Sequence, residues 1–289
     1  MSKRNWALVA ATLVSIIYGV TFTIAKDVMP KYVQPFGFIS MRVGGSMVLF
    51  WLISFFFSTE KIAKADFPRI IAAAFFGVAF NMLTFFKGLS YTSPIMGAVL
   101  MVTTPMIVLV LSAILIKEQM QKRKVFGLVL GLIGTVFLIL YGKSMQNAPN
   151  ATLGNLLVFV NAISYGFYLI IVKKLMDKYN AFAFVKWIYT FGFLMVLPFG
   201  WNEFQAIDFQ NLPIDIICKI GFVVVFSTFL TYLLNLVSMR ELKPTTIAVF
   251  IYLQPLFATI FAVSLGKDSL SMVKIISAIL IFTGVYLVT

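Results

Sequence analysis

The sequence has no histidine and a single cysteine, Cys218. Without histidine, the chain lacks the commonest ligand for transition metals and the side chain that most often transfers protons near neutral pH. One cysteine cannot form a disulfide within the chain, and it cannot supply the several thiolates of a metal cluster. We also find no phosphate-binding glycine loop and no nucleophile-base spacing. The sequence therefore predicts no metal, no cofactor and no catalytic residues.

Charged residues are scarce as well. They make up 11% of the 289 residues, whereas hydrophobic residues make up 61%. Soluble domains carry about 25% charged residues, so this composition predicts an integral membrane protein with several spans. All 10 acidic residues fall in predicted loops or at the ends of predicted spans. A proton relay at mid-membrane is therefore not expected, which favours facilitated diffusion or exchange. Proton coupling through the acids at the ends of the spans is the alternative.

Ten apolar segments have the length of membrane helices, so the predicted fold class is an all-α membrane protein of ten helices. The segment that follows residues 1–5 is interpreted as the first span, not as a cleaved signal peptide. The predicted spans are 6–25, 36–57, 68–89, 94–116, 125–141, 152–172, 181–200, 213–238, 244–266 and 270–288.

The net charge of +13 fits the bias of Lys and Arg toward cytoplasmic loops better than it fits a nucleic-acid partner. No patch of basic and aromatic residues stands outside the spans, so we expect no nucleic-acid binding. The loops on the side of the termini hold more than twice as many Lys and Arg as the opposite loops. Both termini are therefore predicted to be cytoplasmic.

The second half of the chain repeats the first. Residues of the first half recur 150 positions later, from Pro94 to Pro244, and an upstream match recurs after 147 positions, from Tyr18 to Tyr165. The first copy comprises Pro94, Ala98, Pro105, Lys117, Glu118, Lys124 and Gly134, and the second comprises Pro244, Ala248, Pro255, Lys267, Asp268, Lys274 and Gly284.

Five spans in each copy would give the two copies opposite orientations in the membrane. Met272 and Val273 stand where the first copy has Lys122 and Arg123, as the bias of basic residues requires of an inverted copy. The predicted units are residues 1–145 and 146–289, each a five-helix repeat.

Several motifs resemble the EamA family of the drug/metabolite transporter superfamily over essentially the whole chain. The motifs are Tyr18-Gly19-Val20-Thr21-Phe22 with Lys26, Ser90-Tyr91-Thr92-Ser93-Pro94, Lys117-Glu118, and Leu265-Gly266-Lys267-Asp268. Three residues depart from the family pattern: Tyr18 replaces Trp, Asp268 replaces the commoner Glu, and Pro94 replaces a small residue. The resemblance implies transport of small metabolites, often outward, across a bacterial inner membrane.

Polar residues near mid-membrane form the predicted substrate site. Amides that faced lipid would leave donors and acceptors unpaired, so we expect them to face the interior, where hydrogen bonds between helices are the alternative role. The predicted substrate-binding residues are Tyr18, Asn81, Thr104, Asn161, Tyr165, Tyr252 and Gln254. Thr103, Tyr168, Ser227 and Thr231 lie near the same depth.

Two prolines in the spans, Pro105 and Pro255, are predicted to kink their helices and serve as hinges beside this site. A purely structural kink is the alternative. Arg42, Lys87 and Lys219 lie within spans toward the outer side and are predicted to form an outer vestibule that attracts anions. Snorkelling of these side chains to the membrane surface is the alternative.

We predict a secondary carrier for small metabolites such as amino acids, acting by alternating access and exporting its substrate. An importer or an exporter of amphiphilic drugs is the alternative within transport, and a channel or a membrane enzyme is the alternative from another class. The expected partners are a small-molecule substrate and the lipid bilayer. The chain is expected to be a monomer or a homodimer, and Gly127, Gly131 and Gly134 favour close packing within the chain over a dimer interface.

Overall fold

The computed structural model describes residues 2–29, 31–57, 60–91, 100–140, 150–264 and 271–289. These residues form helices joined by short connections, and none of them lies in a β-strand. The start of the fourth predicted span, with Pro94 and Ala98, lies outside the described residues, as does the Lys267-Asp268 pair.

The helices are numbered α1 to α10 in chain order across the described residues. The first five are α1 Lys3–Val28, α2 Pro35–Phe57, α3 Phe67–Ala74 continued by a π-helical turn Phe75–Ala79 and by Phe80–Tyr91, α4 Thr104–Leu115, and α5 Lys122–Leu140. The others are α6 Ala151–Met176, α7 Ala181–Gln205, α8 Ile214–Val224 continued by a π-helical turn Val225–Leu230 and by Thr231–Glu241, α9 Pro244–Val249 continued by a 3₁₀ turn Phe250–Tyr252 and by Leu253–Ser264, and α10 Met272–Val288.

Apolar length identifies the protein as an all-helical integral membrane protein. Within the described residues, 7 helical stretches are long and apolar enough to cross a membrane, and two shorter apolar helices, Thr104–Leu115 and Met272–Val288, accompany them. Each of the ten predicted apolar segments is mostly helical where it is described. That all ten cross the membrane stays a prediction.

The helices of the two halves pack in corresponding ways. α2 lies along α7, and α5 lies along α10. α1 packs against α8 and α9, and α6 packs in the same way against α3 and α4. The two π-helical turns, Phe75–Ala79 and Val225–Leu230, begin 150 positions apart, which is the offset of the sequence repeat (Phe75 to Val225).

The α5–α10 pair is held together by glycines within the chain. A Cβ atom added to Gly127 would lie 2.8 Å from the carbonyl oxygen of Gly284, and one added to Gly134 would lie 2.8 Å from the Cβ of Leu280. Small residues let two backbones approach closely in a membrane. These glycines therefore pack inside the molecule, as the sequence favours.

Replacing Gly284 with alanine should lower the free energy of unfolding by about 1–3 kcal/mol, because the added Cβ would overpack the interface. It would lie 2.6 Å from the amide nitrogen of Gly131 and 2.7 Å from the carbonyl oxygen of Gly127, and backbone atoms cannot rotate away. Gly221→Ala is the matched control, since nothing lies within 4 Å of a Cβ there. Equal melting temperatures of the two purified variants would contradict the packing described.

Candidate functional site

Polar side chains from six helices meet around the two π-helical turns. Three of these helices (α1, α2 and α3) belong to the first half of the sequence, and three (α6, α7 and α8) to the second. We call this group the central polar cluster, and it consists of Tyr18, Arg42, Asn81, Asn161, Tyr165, Tyr168, Tyr189, Ser227, Thr228, Thr231 and Tyr232.

Two asparagines of the central polar cluster clamp α3 to α6. Asn161 donates from Nδ2 to the backbone oxygen of Asn81 over 2.7 Å, and Asn81 donates from Nδ2 to the backbone oxygen of Asn161 over 3.4 Å. Asn161 is buried, and its Oδ1 has no hydrogen-bond partner in the described structure. A buried acceptor without a donor is costly, so this oxygen is suited to accept a hydrogen bond from a bound solute.

The π-helical turn of α3 offers backbone carbonyls to the second half of the chain. A π turn disrupts the regular i→i−4 bonding of a helix and frequently marks a functional site. Ser164 Oγ donates to the oxygen of Phe76 and Tyr232 Oη to the oxygen of Gly77, each over 2.7 Å. Both bonds tie α3 to helices of the other half at mid-helix.

The π-helical turn of α8 accepts hydrogen bonds from side chains of α2. Arg42 donates from Nε to Thr228 Oγ1 over 2.9 Å and from Nη2 to the oxygen of Ser227 over 3.4 Å. Ser46 Oγ donates to the oxygen of Val224 over 3.1 Å. The guanidinium of Arg42 is therefore directed at the middle of α8 and not toward the membrane surface.

Tyrosine rings connect the parts of the cluster. Tyr168 has ring centroid distances of 6.0 Å to Tyr165 and 6.0 Å to Tyr232, and Tyr232 lies 5.0 Å from Tyr189 in an edge-on arrangement. Tyr18 reaches the cluster from α1, where its hydroxyl oxygen lies 3.3 Å from Thr231 Oγ1. The four rings, all from the second half, thus form an aromatic surface across α6, α7 and α8, and Tyr18 of the first half meets this helix group through its hydroxyl.

The structure brings Tyr18, Asn81, Asn161 and Tyr165 together but places Thr104 and Tyr252 elsewhere. Pro105 has no amide hydrogen for the carbonyl of Met101, and Thr104 Oγ1 donates to that carbonyl instead. Tyr252 is fully buried, packs against the Cα of Gly131 on α5 and donates to the backbone oxygen of Leu128 over 3.2 Å. Both hydroxyls are therefore already used in packing.

Gln254 and the two prolines lie on α4 and α9, which do not contribute to the central polar cluster. Gln254 is partly exposed, and its backbone oxygen would lie 3.0 Å from a Cβ added to Gly19. Pro105 is buried in the first turn of α4, and Pro255 lies early in the final segment of α9, just after the 3₁₀ turn. Both prolines thus accompany a change of helical geometry, and their hinge role stays a prediction.

The three cations predicted to line an outer vestibule are separated in the structure. Lys219 Nζ pairs with Asp27 Oδ2 at 2.9 Å and with Asp215 Oδ2 at 3.3 Å. Lys87 is exposed and lies 4.9 Å from the ring centroid of Tyr91. Arg42 alone joins the central polar cluster.

Contacts between the halves also lie at the end of the bundle that carries the termini. Asp66 accepts hydrogen bonds from Lys178 and, over 2.6 Å, from Tyr179. Glu118 pairs with Lys124 over 2.9 Å and accepts from Thr245 Oγ1 over 3.0 Å. The hydrogen bond that Lys178 donates to Asp66 raises the pKa of Lys178, so this contact remains an ion pair at neutral pH.

A groove of about 400 Å³ lies between α2 and α7, away from the central polar cluster. Apart from Ser40, it is lined by glycines and apolar side chains, including Met41, Phe193 and Trp201. This lining suits a hydrocarbon chain better than a polar solute.

Sequence reasoning missed Tyr189, Thr228 and Tyr232. Tyr189 and Tyr232 lie in strongly apolar spans, where a tyrosine is interpreted as an aromatic residue of the core. The available signal is the hydroxyl, because a phenol inside a membrane bundle needs a hydrogen-bond partner.

A sequence model of the EamA-like transporter family matches residues 5–140 and again residues 152–289. The chain is 26% identical to "Uncharacterized transporter YyaM" of Bacillus subtilis (strain 168), over 94% of this chain and 89% of that one. It is 25% identical to an uncharacterized transporter of Archaeoglobus fulgidus, over 99% and 98% of the two chains. A solved structure described only as "Crystal structure of protein" superposes with a TM-score of 0.79 at 15% identity, covering 98% and 96%, and so shares the fold.

Proposed function

The chain belongs to the EamA-like transporter family, and on this premise we propose that it is a secondary carrier of small polar metabolites. It binds its substrate in the central polar cluster and exposes that site alternately to the two sides of the membrane. The observation that carries the proposal is the meeting of polar groups from both halves around paired π-helical turns.

Two inverted five-helix units, residues 1–145 and 146–289, form the carrier, and all ten helices span the membrane. The family model matches the chain twice, which supports two units. The π-helical turns are separated by the same number of positions as the repeated sequence motifs. The helices of the two halves also make corresponding contacts. A site between inverted units can be reached from either side when one unit rocks against the other.

The chemistry of the central polar cluster favours a small solute with hydrogen-bonding groups. Asn161 Oδ1 is a buried acceptor, and the tyrosine rings of α6 and α8 provide flat apolar surface. Asn81 contributes a second amide on the opposite helix. Such a mixture of amides, hydroxyls and rings fits amino acids and related metabolites.

The direction proposed is export from the cytoplasm across a bacterial inner membrane, with both termini cytoplasmic. The basic residues at the terminal side support this orientation. The contacts Asp66–Lys178 and Glu118–Thr245 then join the two units at the cytoplasmic side.

A ligand screen tests the proposal. Purified protein is heated with each member of a metabolite library, and a true substrate should raise the melting temperature as its concentration rises. Asn161→Ala should weaken the affinity about tenfold, because one hydrogen bond to the solute is lost. Asn202→Ala, an exposed amide on α7, serves as the matched control. An undiminished shift in Asn161→Ala would remove this residue from the site.

A further inference from the structure

We propose that Arg42 binds a carboxylate of the substrate, so that the carrier transports small carboxylic acids bearing an amino or hydroxyl group. This inference rests on the proposed function and specifies the class of its substrate. It rests on the guanidinium of Arg42, on the buried hydroxyl of Ser227, which has no hydrogen-bond partner, and on the unpaired oxygen of Asn161.

Arg42 has donors to spare inside the bundle. A guanidinium has five N–H donors, and the described structure uses one on Nε and one on Nη2. Both of these bonds go to α8 and fix the direction of the group. The remaining N–H groups present a planar edge, the geometry that a carboxylate accepts with two parallel hydrogen bonds.

No carboxylate of the described residues neutralises Arg42. Acids of α1, α7 and α8 are engaged elsewhere: Asp27 and Asp215 pair with Lys219, and Glu203 accepts from the amides of Phe36 and Gly37. A charge inside a membrane bundle is expensive and rare unless it functions. A bound anion would supply the missing partner.

A buried hydroxyl near Arg42 points to a ligand independently. Ser227 Oγ is fully buried and has no hydrogen-bond partner in the described structure. Arg42 itself donates to the backbone oxygen of Ser227. The phenol of Tyr232 donates to Gly77 and is already used. An unused hydroxyl donor beside a cation is what an oxyanion requires.

A carboxylate fits this site better than a phosphate does. Arg42 is the one cation that the described residues bring to the cluster, because Lys186 lies 4.7 Å from the ring of Trp51 and Lys219 is paired at the outer end. A single positive charge balances a single negative one, whereas a phosphate dianion would leave excess charge buried. Asn161 Oδ1 can then accept from an amino or hydroxyl group of the same molecule.

Matched acids and amides test the assignment. L-amino acids are compared with their amides, and lactate with lactamide, by thermal shift and by uptake into proteoliposomes. Wild-type protein should prefer the acid by about tenfold or more, the value of a charge-assisted hydrogen bond. Arg42→Gln should abolish the preference. Arg42→Lys should keep part of it, because lysine retains the positive charge but lacks the planar arrangement of donors that a guanidinium offers. Arg240→Gln, an exposed arginine at the end of α8, should leave it intact.

Ser227→Ala tests the inference without altering Arg42, and it decides the question even where Arg42 variants fold poorly. Removing this buried hydroxyl, which has no partner, should leave the melting temperature unchanged or higher. The same variant should bind the acid several-fold more weakly and leave the amide unaffected. Equal binding of acids and amides by wild type, a preference that survives in Arg42→Gln, or the absence of any bound acid overturns the inference. Saturable transport of neutral solutes in that case would still uphold the carrier, whereas loss of all saturable transport would overturn both.

Discussion

Replacing Gly77 with alanine should abolish ligand binding and lower the free energy of unfolding by about 1–3 kcal/mol. The added Cβ would lie 2.1 Å from Cδ2 of Tyr168, whose ring is only 3% exposed and has no space to move. Tyr168 holds Tyr165 and Tyr232 in place, and the carbonyl of Gly77 accepts the hydroxyl of Tyr232. One methyl group therefore displaces the centre of the aromatic surface.

The comparison for this variant is Gly221→Ala, which adds the same methyl group to α8 with nothing within 4 Å of it. Melting temperature and ligand-induced shift are measured on both purified variants. Gly221→Ala should resemble wild type in both. If Gly77→Ala binds ligand as Gly221→Ala does, the tyrosines of the central polar cluster do not form the site.

Replacing Glu118 with alanine should cost about 3–5 kcal/mol of stability, because it leaves a buried cation without its partner. The side chains of Lys124 and Glu118 are 12% and 2% exposed. Lys117 has a φ of 53°, a left-handed conformation that is uncommon for lysine, and this turn directs Glu118 into the protein. Thr245 of the other half would lose its acceptor as well.

The double variant Glu118→Leu with Lys124→Met should recover most of that loss, since apolar residues often replace a buried ion pair without cost. Asp177→Ala is the surface control: it removes the exposed partner of Lys173 and should cost about 0–1 kcal/mol. Denaturation in mild detergent measures all of these variants. If the double variant is no more stable than Glu118→Ala, the loss does not come from an unpaired Lys124.

Hydrophobic length predicted the helical segments because a bilayer requires long apolar stretches with internally bonded backbones. The predicted limits 36–57 lie within one residue of the observed helix Pro35–Phe57. The π-helical turn Phe75–Ala79 could not be predicted, because its residues fit an ordinary helix. Its carbonyls are bonded by Ser164 and Tyr232, which are distant in the sequence.

The inward position of a polar side chain was predictable where lipid would leave its hydrogen-bonding groups unpaired. Asn81 and Asn161 were expected to face the interior because an amide that faces lipid is costly. In the structure the two residues are hydrogen-bonded to each other. Tyr252 has a suitable depth, but its hydroxyl is bonded to the backbone of Leu128, and depth alone does not reveal the direction of a side chain. The same limit applies to Arg42, which sequence reasoning assigned to the outer vestibule.

Counterflow in proteoliposomes tests the central claim most directly, namely that one site is exposed alternately to both sides. Vesicles are loaded with an unlabelled ligand from the thermal screen and diluted into the same compound in labelled form. We expect labelled uptake to saturate with concentration, to overshoot when the internal ligand is present, and to fall in Asn161→Ala. Uptake that rises linearly and does not respond to internal ligand would contradict an alternating site and would indicate a channel.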